Sequence, residues 1–405
     1  MPDGRPDPPR ARAIAWTLAV TQTIGYGVLF YAYAVVTLPM ETELGWTRAE
    51  TSGAFSLGLL LAGLAAWPVG RWVDRHGARG ILTVGSIAAG AAVLGWSYVT
   101  TLAQLYAVQA AIGLILAAVT YEVAFAVIAR WFRRERRIRA LLIVTMVAGL
   151  ASTIFVPLTQ ALVDGVGWRA ALRVLAGIVW VGTVPLHAWA VRRAPEAAEA
   201  DGPSDEESSI SAPDAWRRGP FWWLTGAFAL DRMVTVAIGA HAVPMLLERG
   251  HPAALVAAVA GSIGLLQVAG RLVFAPATRR VSLARLTTAT FAVRAASLVA
   301  VAWLPGLPGL IAFAGLFGLS NGAATLARAG LVAETFGPRH YGAVNGSMTT
   351  AVALLQTVAP LAVGALRVAT GDYDGALLAL LVLALAGGVA IEVPRRRGGL
   401  PDRPA

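Results

Sequence analysis

The sequence predicts an all-α membrane protein with twelve transmembrane helices, arranged as two pseudo-symmetric six-helix bundles. Hydrophobic residues make up 57% of the 405 residues and charged residues only 14%, whereas soluble proteins carry about 25% charged residues. The mean hydropathy is +0.65. The apolar residues form long runs separated by short polar turns, and a helix needs about 20 such residues to cross a bilayer. A repeat between the two halves, described below, predicts the two bundles.

Each long apolar run is predicted to be one membrane-spanning helix. The first run is too long for a signal peptide and lacks an Ala-x-Ala cleavage signal, so it is retained as a helix. The twelve predicted spans are 13–39, 50–70, 80–99, 102–129, 138–163, 170–191, 220–247, 253–273, 284–304, 307–333, 342–367 and 375–393.

The distribution of arginine predicts the orientation of these spans. Every basic residue in the chain is arginine, and the loops on the cytoplasmic side of a membrane protein are rich in basic residues. Most arginines lie on the side that holds both termini. The opposite side holds only Arg48, Arg169, Arg173, Arg249 and Arg367. We therefore expect both termini to be cytoplasmic, in a bacterial inner membrane.

The longest polar stretch divides the chain after the sixth span. Residues 192–219 combine acidic residues with proline and serine, a composition that cannot bury a core. The predicted organisation is an N-terminal bundle (1–191), an acidic cytoplasmic linker (192–219), a C-terminal bundle (220–393) and a cytoplasmic tail (394–405).

The two halves repeat at a nearly constant offset. "LPMETELG" at 38–45 parallels "VPMLLERG" at 243–250, an offset of 205. "VGRWV" at 69–73 parallels "AGRLV" at 269–273, an offset of 200, and Pro157 parallels Pro360, an offset of 203. Transporters built from such repeats bind their solutes where the repeats meet. The repeat therefore predicts a cavity between the two bundles.

The loop between the second and third spans carries a recognisable motif. The segment "GRWVDRHGAR" at 70–79 resembles the Gly-x-x-x-Asp-Arg-x-Gly-Arg signature of the major facilitator superfamily. The matching residues are Gly70, Asp74, Arg75, Gly77 and Arg79. The resemblance implies the major facilitator fold and a role for these five residues in conformational gating, with Asp74 near the amino end of the eleventh span.

A second segment points to one branch of that superfamily. "ARWFRRERRIRA" at 129–140 resembles the segment after the fourth helix of bacterial monocarboxylate and oxalate/formate carriers. The resemblance also implies that spans four and ten line the cavity and that span nine lies at the periphery.

Charged residues inside the spans are candidate sites, because charge at bilayer depth is costly unless it is paired or faces water. In span ten, Asn321, Thr325 and Arg328 are spaced to share one helical face. We predict that this face and Glu122 of span four bind the solute. The alternative for Arg328 and Glu122 is a structural ion pair that joins two helices.

Asp231 lies near the middle of span seven. A carboxylate in a poorly hydrated site holds a proton more readily than it does in water, which suits a proton carrier. We predict proton coupling through Asp231, with Glu122 as the second candidate. Packing against a neighbouring group is the alternative for Asp231, and the roles of Arg232, His241 and Arg294 stay open.

Span one carries a half-polar aromatic stripe formed by Gln22, Tyr26, Phe30 and Tyr33. Aromatic stripes usually pack, but this one adjoins the expected cavity. We predict that Gln22, Tyr26 and Tyr33 contribute to solute binding.

Composition and motifs also restrict the class of protein. The absence of cysteine excludes disulfides and thiolate chemistry, and the absence of lysine excludes a phosphate-binding loop with its lysine. "GLSNG" at 318–322 fits a hydrolase nucleophile motif but lies mid-helix rather than at a strand-to-helix turn.

These observations favour a non-enzymatic secondary carrier. We expect it to move a small organic solute by alternating access, with an organic anion or monocarboxylate favoured and protons as the coupling ion. Export of amphiphilic compounds or drugs is the alternative, and a non-transporting receptor or scaffold is the competing class. The expected partners are a small-molecule substrate, membrane lipid and protons. The protein is predicted to be a monomer without nucleic acid, metal or cofactor.

Overall fold

The computed structural model describes residues 11–191 and 209–402, and within these ranges the regular structure is entirely helical. A five-residue π-helical segment, Gly27–Tyr31, separates the first two helices. The α-helices are α1 (Ala11–Tyr26), α2 (Ala32–Leu44), α3 (Arg48–His76), α4 (Ala78–Trp96), α5 (Leu102–Val119), α6 (Tyr121–Trp131), α7 (Arg134–Ala148), α8 (Ala151–Trp189), α9 (Ala212–Trp216), α10 (Gly219–Glu248), α11 (Ala253–Ala277), α12 (Leu283–Trp303), α13 (Gly306–Phe336), α14 (Tyr341–Gln356), α15 (Val358–Thr370) and α16 (Asp374–Arg396).

Eleven helical stretches of the described chain are long and apolar enough to cross a membrane. One of them, Arg136–Trp189, has 54 residues, far more than a single crossing needs. It contains the fifth predicted span and nearly all of the sixth. Gly167, with a φ of 79°, interrupts its helical geometry between them. The all-α membrane fold is thus confirmed, and the count is close to the twelve predicted spans.

Helix ends extend beyond the predicted spans, because polar residues can continue a helix past the hydrocarbon core. The first span is predicted to end at residue 39, but α2 continues to Leu44 and stops where Gly45 adopts a left-handed conformation. Thr47 and Thr101 begin α3 and α5 with capping boxes, in which the threonine accepts from the backbone three residues ahead.

Several spans are interrupted within their length. Span one contains the π-helical segment, and span four breaks at Thr120, whose backbone is extended. Span eleven breaks at Thr357, three residues before Pro360, and the Thr357 hydroxyl donates to the carbonyl of Leu354 at 2.8 Å. A hydroxyl that satisfies a carbonyl next to a proline kink is the arrangement that membrane helices tolerate.

Contacts group the chain into two compact units. Unit 1 contains the described residues up to Ser211 together with Phe336–Thr350, and unit 2 contains Ala212–Thr335 and the described residues from Ala351 onward. Each unit has its own apolar core, around Trp96 and Leu175 in unit 1 and around Phe313 and Leu380 in unit 2. Most of the predicted acidic linker, residues 192–208, lies outside the described residues.

The repeat recurs in the packing of each unit. In unit 1, a Cβ at Gly113 would lie within 3.0 Å of the carbonyl oxygen of Gly58, so α5 and α3 pack backbone to backbone. In unit 2, a Cβ at Gly318 would lie within 3.0 Å of the carbonyl oxygen of Ile263, between α13 and α11. Both pairs are related by an offset of 205 residues, which agrees with the sequence repeat.

Candidate transport site and gating contacts

The motif at 70–79 contains Asp74, whose carboxylate accepts hydrogen bonds from two backbone amides of α14. Asp74 Oδ1 accepts a hydrogen bond from the amide of Gly342 at 3.0 Å, and Asp74 Oδ2 accepts one from Ala343 at 2.6 Å. These amides belong to the first turn of α14, where the helix dipole stabilises an anion. Asp74 therefore lies at the amino end of the eleventh span, the position that the resemblance implies.

Gly70 allows that contact to form. A Cβ at Gly70 would overlap the carbonyl of Gly342, so the backbones of α3 and α14 meet directly. Gly77, between α3 and α4, has a φ of 80°, which favours glycine. Arg75 and Arg79 are exposed. The gating role of these five residues stays a prediction.

Arg130 joins the same contact, although the sequence indicated it only as a cytoplasmic arginine. Its Nη2 donates to the carbonyl of Asp74 at 3.0 Å and to that of Arg339 at 2.7 Å. Arg130 directly follows the predicted fourth span and lies in the "ARWFRRERRIRA" segment, but nothing in that segment indicates two distant backbone carbonyls as its partners.

Three of the predicted binding residues in unit 1 lie around the break in span four. Gln22 is fully buried and its Nε2 donates to the carbonyl of Val119 at 2.7 Å, which is the carbonyl that the break deprives of its helical partner. The ring of Tyr26 lies 4.7 Å from that of Tyr121. Glu122, in the first turn of α6, accepts a long hydrogen bond of 3.4 Å from Thr349.

Tyr33 lies apart from that group. It is 6% exposed, stacks on Phe55 and Trp96, and donates its hydroxyl to the carbonyl of Thr51 at 2.6 Å. These contacts place Tyr33 in the apolar core of unit 1, and its contribution to solute binding stays a prediction.

In unit 2, span ten presents the predicted polar face. Asn321, Thr325 and Arg328 are half-buried, whereas the residues between them on α13 are buried. The three side chains therefore lie on the least buried face of this part of the helix.

Asp231 forms an ion pair inside unit 2. Its Oδ1 lies 3.1 Å from Nη2 of Arg294, a guanidinium that is fully buried. Arg294 Nη1 donates to Thr235 Oγ1 at 3.0 Å, and the guanidinium lies 4.6 Å from the centre of the Phe317 ring. The family resemblance implies a peripheral span nine and leaves the role of Arg294 open, so the sequence does not indicate this partner.

The two neighbouring polar residues of span seven have different surroundings. Arg232 is exposed, and its Nε donates to Gln356 Oε1 at 2.9 Å. His241 is half-buried, with Nε2 at 3.0 Å from the carbonyl oxygen of Pro360 and Nδ1 at 3.3 Å from the Tyr373 hydroxyl.

Comparison of the sequence with known proteins identifies one family. The family profile described as Major Facilitator Superfamily matches residues 18–360. Human monocarboxylate transporter 11 is 27% identical, with coverage of 98% of this chain and 85% of the relative. Bovine monocarboxylate transporter 13 is 29% identical, covering 91% of this chain and 84% of the relative.

Solved structures give the same fold. The E. coli fucose:proton symporter FucP superposes with a TM-score of 0.73 at 13% identity, covering 94% of this chain and 97% of that one. The human organic anion transporter MFSD10 (TETRAN) superposes with a TM-score of 0.73 at 15% identity, covering 95% of this chain and 100% of that one. With its signature motif, helical fold and family match together, the chain belongs to the major facilitator superfamily and is a multi-pass membrane transporter rather than an enzyme.

Proposed function

We propose that this transporter is a secondary carrier of small organic anions, with a monocarboxylate as the favoured solute and protons as the coupling ion. It acts by alternating access in the cytoplasmic membrane of a bacterium, as a monomer with both termini in the cytoplasm. Two relatives that are named monocarboxylate transporters and a structural neighbour named an organic anion transporter support the solute class.

The observation that carries the proposal is the Asp231–Arg294 pair in the interior of unit 2. One carboxylate and one guanidinium at 3.1 Å are neutral together, and Arg232, the next residue along α10, adds a further positive charge near Asp231. Removing the charge of one partner of a buried pair costs about 3 to 5 kcal/mol, because the other charge is left uncompensated.

Protonation of Asp231 would therefore favour the binding of an anion nearby. Protonation leaves the positive charge of Arg294 unbalanced, and a carboxylate bound nearby restores neutrality. A proton and a monocarboxylate together leave the net charge of this region unchanged, whereas either one alone does not. This charge balance favours the joint movement of a proton and an organic anion.

The contact of Asp74 with α14 supports alternating access. A change of conformation that moves α14 away from α3 has to break the two hydrogen bonds that backbone amides of α14 donate to the Asp74 carboxylate. The bond from Arg130 to the carbonyl of Arg339, just before α14, would be lost with them. These bonds stabilise one conformation of the carrier, and their loss and re-formation would control the rate of exchange.

Uptake into proteoliposomes tests the proposal. Purified protein is reconstituted, and uptake of labelled small carboxylates is measured with and without an inwardly directed proton gradient. We expect accumulation that depends on the gradient. Asp231→Asn should abolish gradient-driven accumulation and retain counterflow exchange, and Glu122→Gln tests the second candidate. Asp164→Asn is the control, since Asp164 is exposed and accepts a hydrogen bond from Gln160, four residues before it on the same helix.

Two outcomes would contradict parts of the proposal. Accumulation that survives in both Asp231→Asn and Glu122→Gln would place the coupling elsewhere. A wild-type protein that moves amphiphilic cations or neutral compounds, and no carboxylate, would replace the anion carrier with an exporter.

A further inference from the structure

Arg232 is a charged side chain exposed at the middle of a membrane-spanning helix. It lies thirteen residues after Gly219 and sixteen before Glu248, so about 20 Å and 24 Å of helix separate it from the two ends of α10. Its side chain is exposed on the surface of the structure. A guanidinium is costly to expose to lipid chains at this depth, and such residues commonly face a water-filled cavity.

Asp231, the residue directly before Arg232, is not exposed. Asp231 is buried and contacts Arg294, whereas Arg232 projects about 100° away around the helix. The neighbouring residues Asp231 and Arg232 thus lie in different environments. Asp231 and Arg294 form a charge pair in the interior of unit 2, and Arg232 adds a positive charge to the surface of that unit.

Gln356 fixes the orientation of the Arg232 guanidinium. Its Oε1 accepts the hydrogen bond of Nε at 2.9 Å, and Gln356 is the last residue of α14, directly before the break at Thr357. The edge of a guanidinium that carries Nη1 and Nη2 forms paired hydrogen bonds with a carboxylate. A partner at Nε holds the plane of the group and so directs that edge.

The sequence repeat indicates that the fold does not require this polar pair. With an offset of 205, Arg232 corresponds to Gly27, and with an offset of 203, Gln356 corresponds to Thr153. In unit 1 the ring of Phe155 occupies the space beside Gly27 where a side chain would lie. The charged side chain is therefore present in one half and replaced by glycine in the other, which points to a function of unit 2 rather than to folding.

We propose that Arg232, oriented by Gln356, is an anion-binding residue that contacts the carboxylate of the transported solute. The assignment rests on the proposed function. Lysine at this position would keep the charge but lose the paired hydrogen bonds, and glutamine would lose both.

The lack of cysteine in the chain allows a direct test by chemical modification. In proteoliposomes, Arg232→Cys should have at least tenfold lower uptake of carboxylate at low concentration. Treatment with an ammonium-bearing methanethiosulfonate should restore a positive charge and recover part of that uptake, and the sulfonate-bearing reagent should not. Saturating carboxylate should slow the modification. Ala296→Cys is the control, because Ala296 is exposed on mid-α12 and is expected to face lipid and react slowly.

A kinetic comparison supplements the labelling. Arg232→Gln should raise the KM for carboxylate by at least tenfold, and Gln356→Leu should raise it about threefold. The KM of Arg232→Lys should lie between those two values. Arg285→Gln, at the surface ion pair with Asp402, should leave KM unchanged.

The outcomes separate the two proposals. If the wild type takes up carboxylate and Arg232→Gln has the same KM as the wild type, the assignment of Arg232 is overturned and the proposed function is not. A thiol of Arg232→Cys that reacts no faster than that of Ala296→Cys would also overturn it, since position 232 would then not face water. No carboxylate uptake by the wild type would overturn the proposed function and this inference together.

Discussion

At the scale of single residues, Asp74 makes the best-defined polar contact of the motif loop, because both of its oxygens accept backbone amides at the start of α14. Asp74→Asn removes the charge that the helix dipole stabilises and replaces one acceptor oxygen with a donor. We expect slower transport with solute affinity within about threefold of wild type, a change below about 0.7 kcal/mol.

Measurement of turnover and of equilibrium binding on the same preparation checks this expectation. Asp214→Asn, at an exposed position of the short helix α9, is the control and should change neither quantity. A large loss of binding with normal turnover would assign Asp74 to the solute site instead.

Among the residues predicted from sequence, replacement of Arg328 tests the solute class most directly. It lies with Asn321 and Thr325 on the half-buried face of α13. Loss of one partner of a desolvated charge pair costs about 2 to 5 kcal/mol. Arg328→Ala should therefore weaken anion binding by at least about thirtyfold, with Arg328→Lys intermediate.

Binding to purified protein, measured by titration calorimetry with a carboxylate found in the uptake assay, tests Arg328. The mutant must unfold at the same temperature as wild type for the comparison to hold. Equal affinity in a folded Arg328→Ala protein would make Arg328 a helix-pairing residue.

At the scale of helices, close backbone packing and local breaks have separate causes. No glycine or proline lies next to the break at Thr120, so the sequence does not indicate it. Gln22 stabilises the break by donating a hydrogen bond to the carbonyl of Val119, 97 residues later in the chain. By contrast, the break at Thr357 precedes a proline that the sequence already indicated as a kink.

The glycine contact between α3 and α5 gives a prediction at this scale. Gly113→Ala introduces a methyl group against the carbonyl of Gly58, and overpacking of this kind costs about 1 to 3 kcal/mol. We expect a lower midpoint of thermal unfolding in detergent. Gly177→Ala is the matched control, because no other helix of the described chain comes within 4 Å of its added Cβ and alanine favours the helix. Equal midpoints for the two variants would show that α5 shifts to accommodate the methyl group.

At the scale of the whole molecule, the arginine distribution sets an expected orientation that labelling can test. Thr100 lies in the loop before α5, on the side predicted to be outside, and Arg217 lies between α9 and α10, on the side predicted to be inside. In a chain without cysteine, an impermeant maleimide applied to intact cells should label Thr100→Cys and leave Arg217→Cys unlabelled. Inverted membrane vesicles should give the opposite pattern, and the same pattern in both preparations would contradict the orientation.

The sequence by itself determined the membrane class, the approximate spans, the repeat and the superfamily, because these depend on residue types and their spacing along one chain. Hydropathy marks a span since the bilayer core excludes polar groups regardless of what packs beside them. The motif loop indicated Asp74, and helical spacing placed Asn321, Thr325 and Arg328 on one face.

Only the tertiary structure decided which polar groups meet. Asp231 and Arg294 are 63 residues apart in sequence, and Arg232 and Gln356 are separated by 124. Such pairs form when helices that are distant in the chain pack together, and neither hydropathy nor helical periodicity records which helices those are. The structure also separated Asp231 from Arg232, placing one side chain inside unit 2 and the other on its surface, because adjacent residues of a helix point about 100° apart and packing determines which of them is buried.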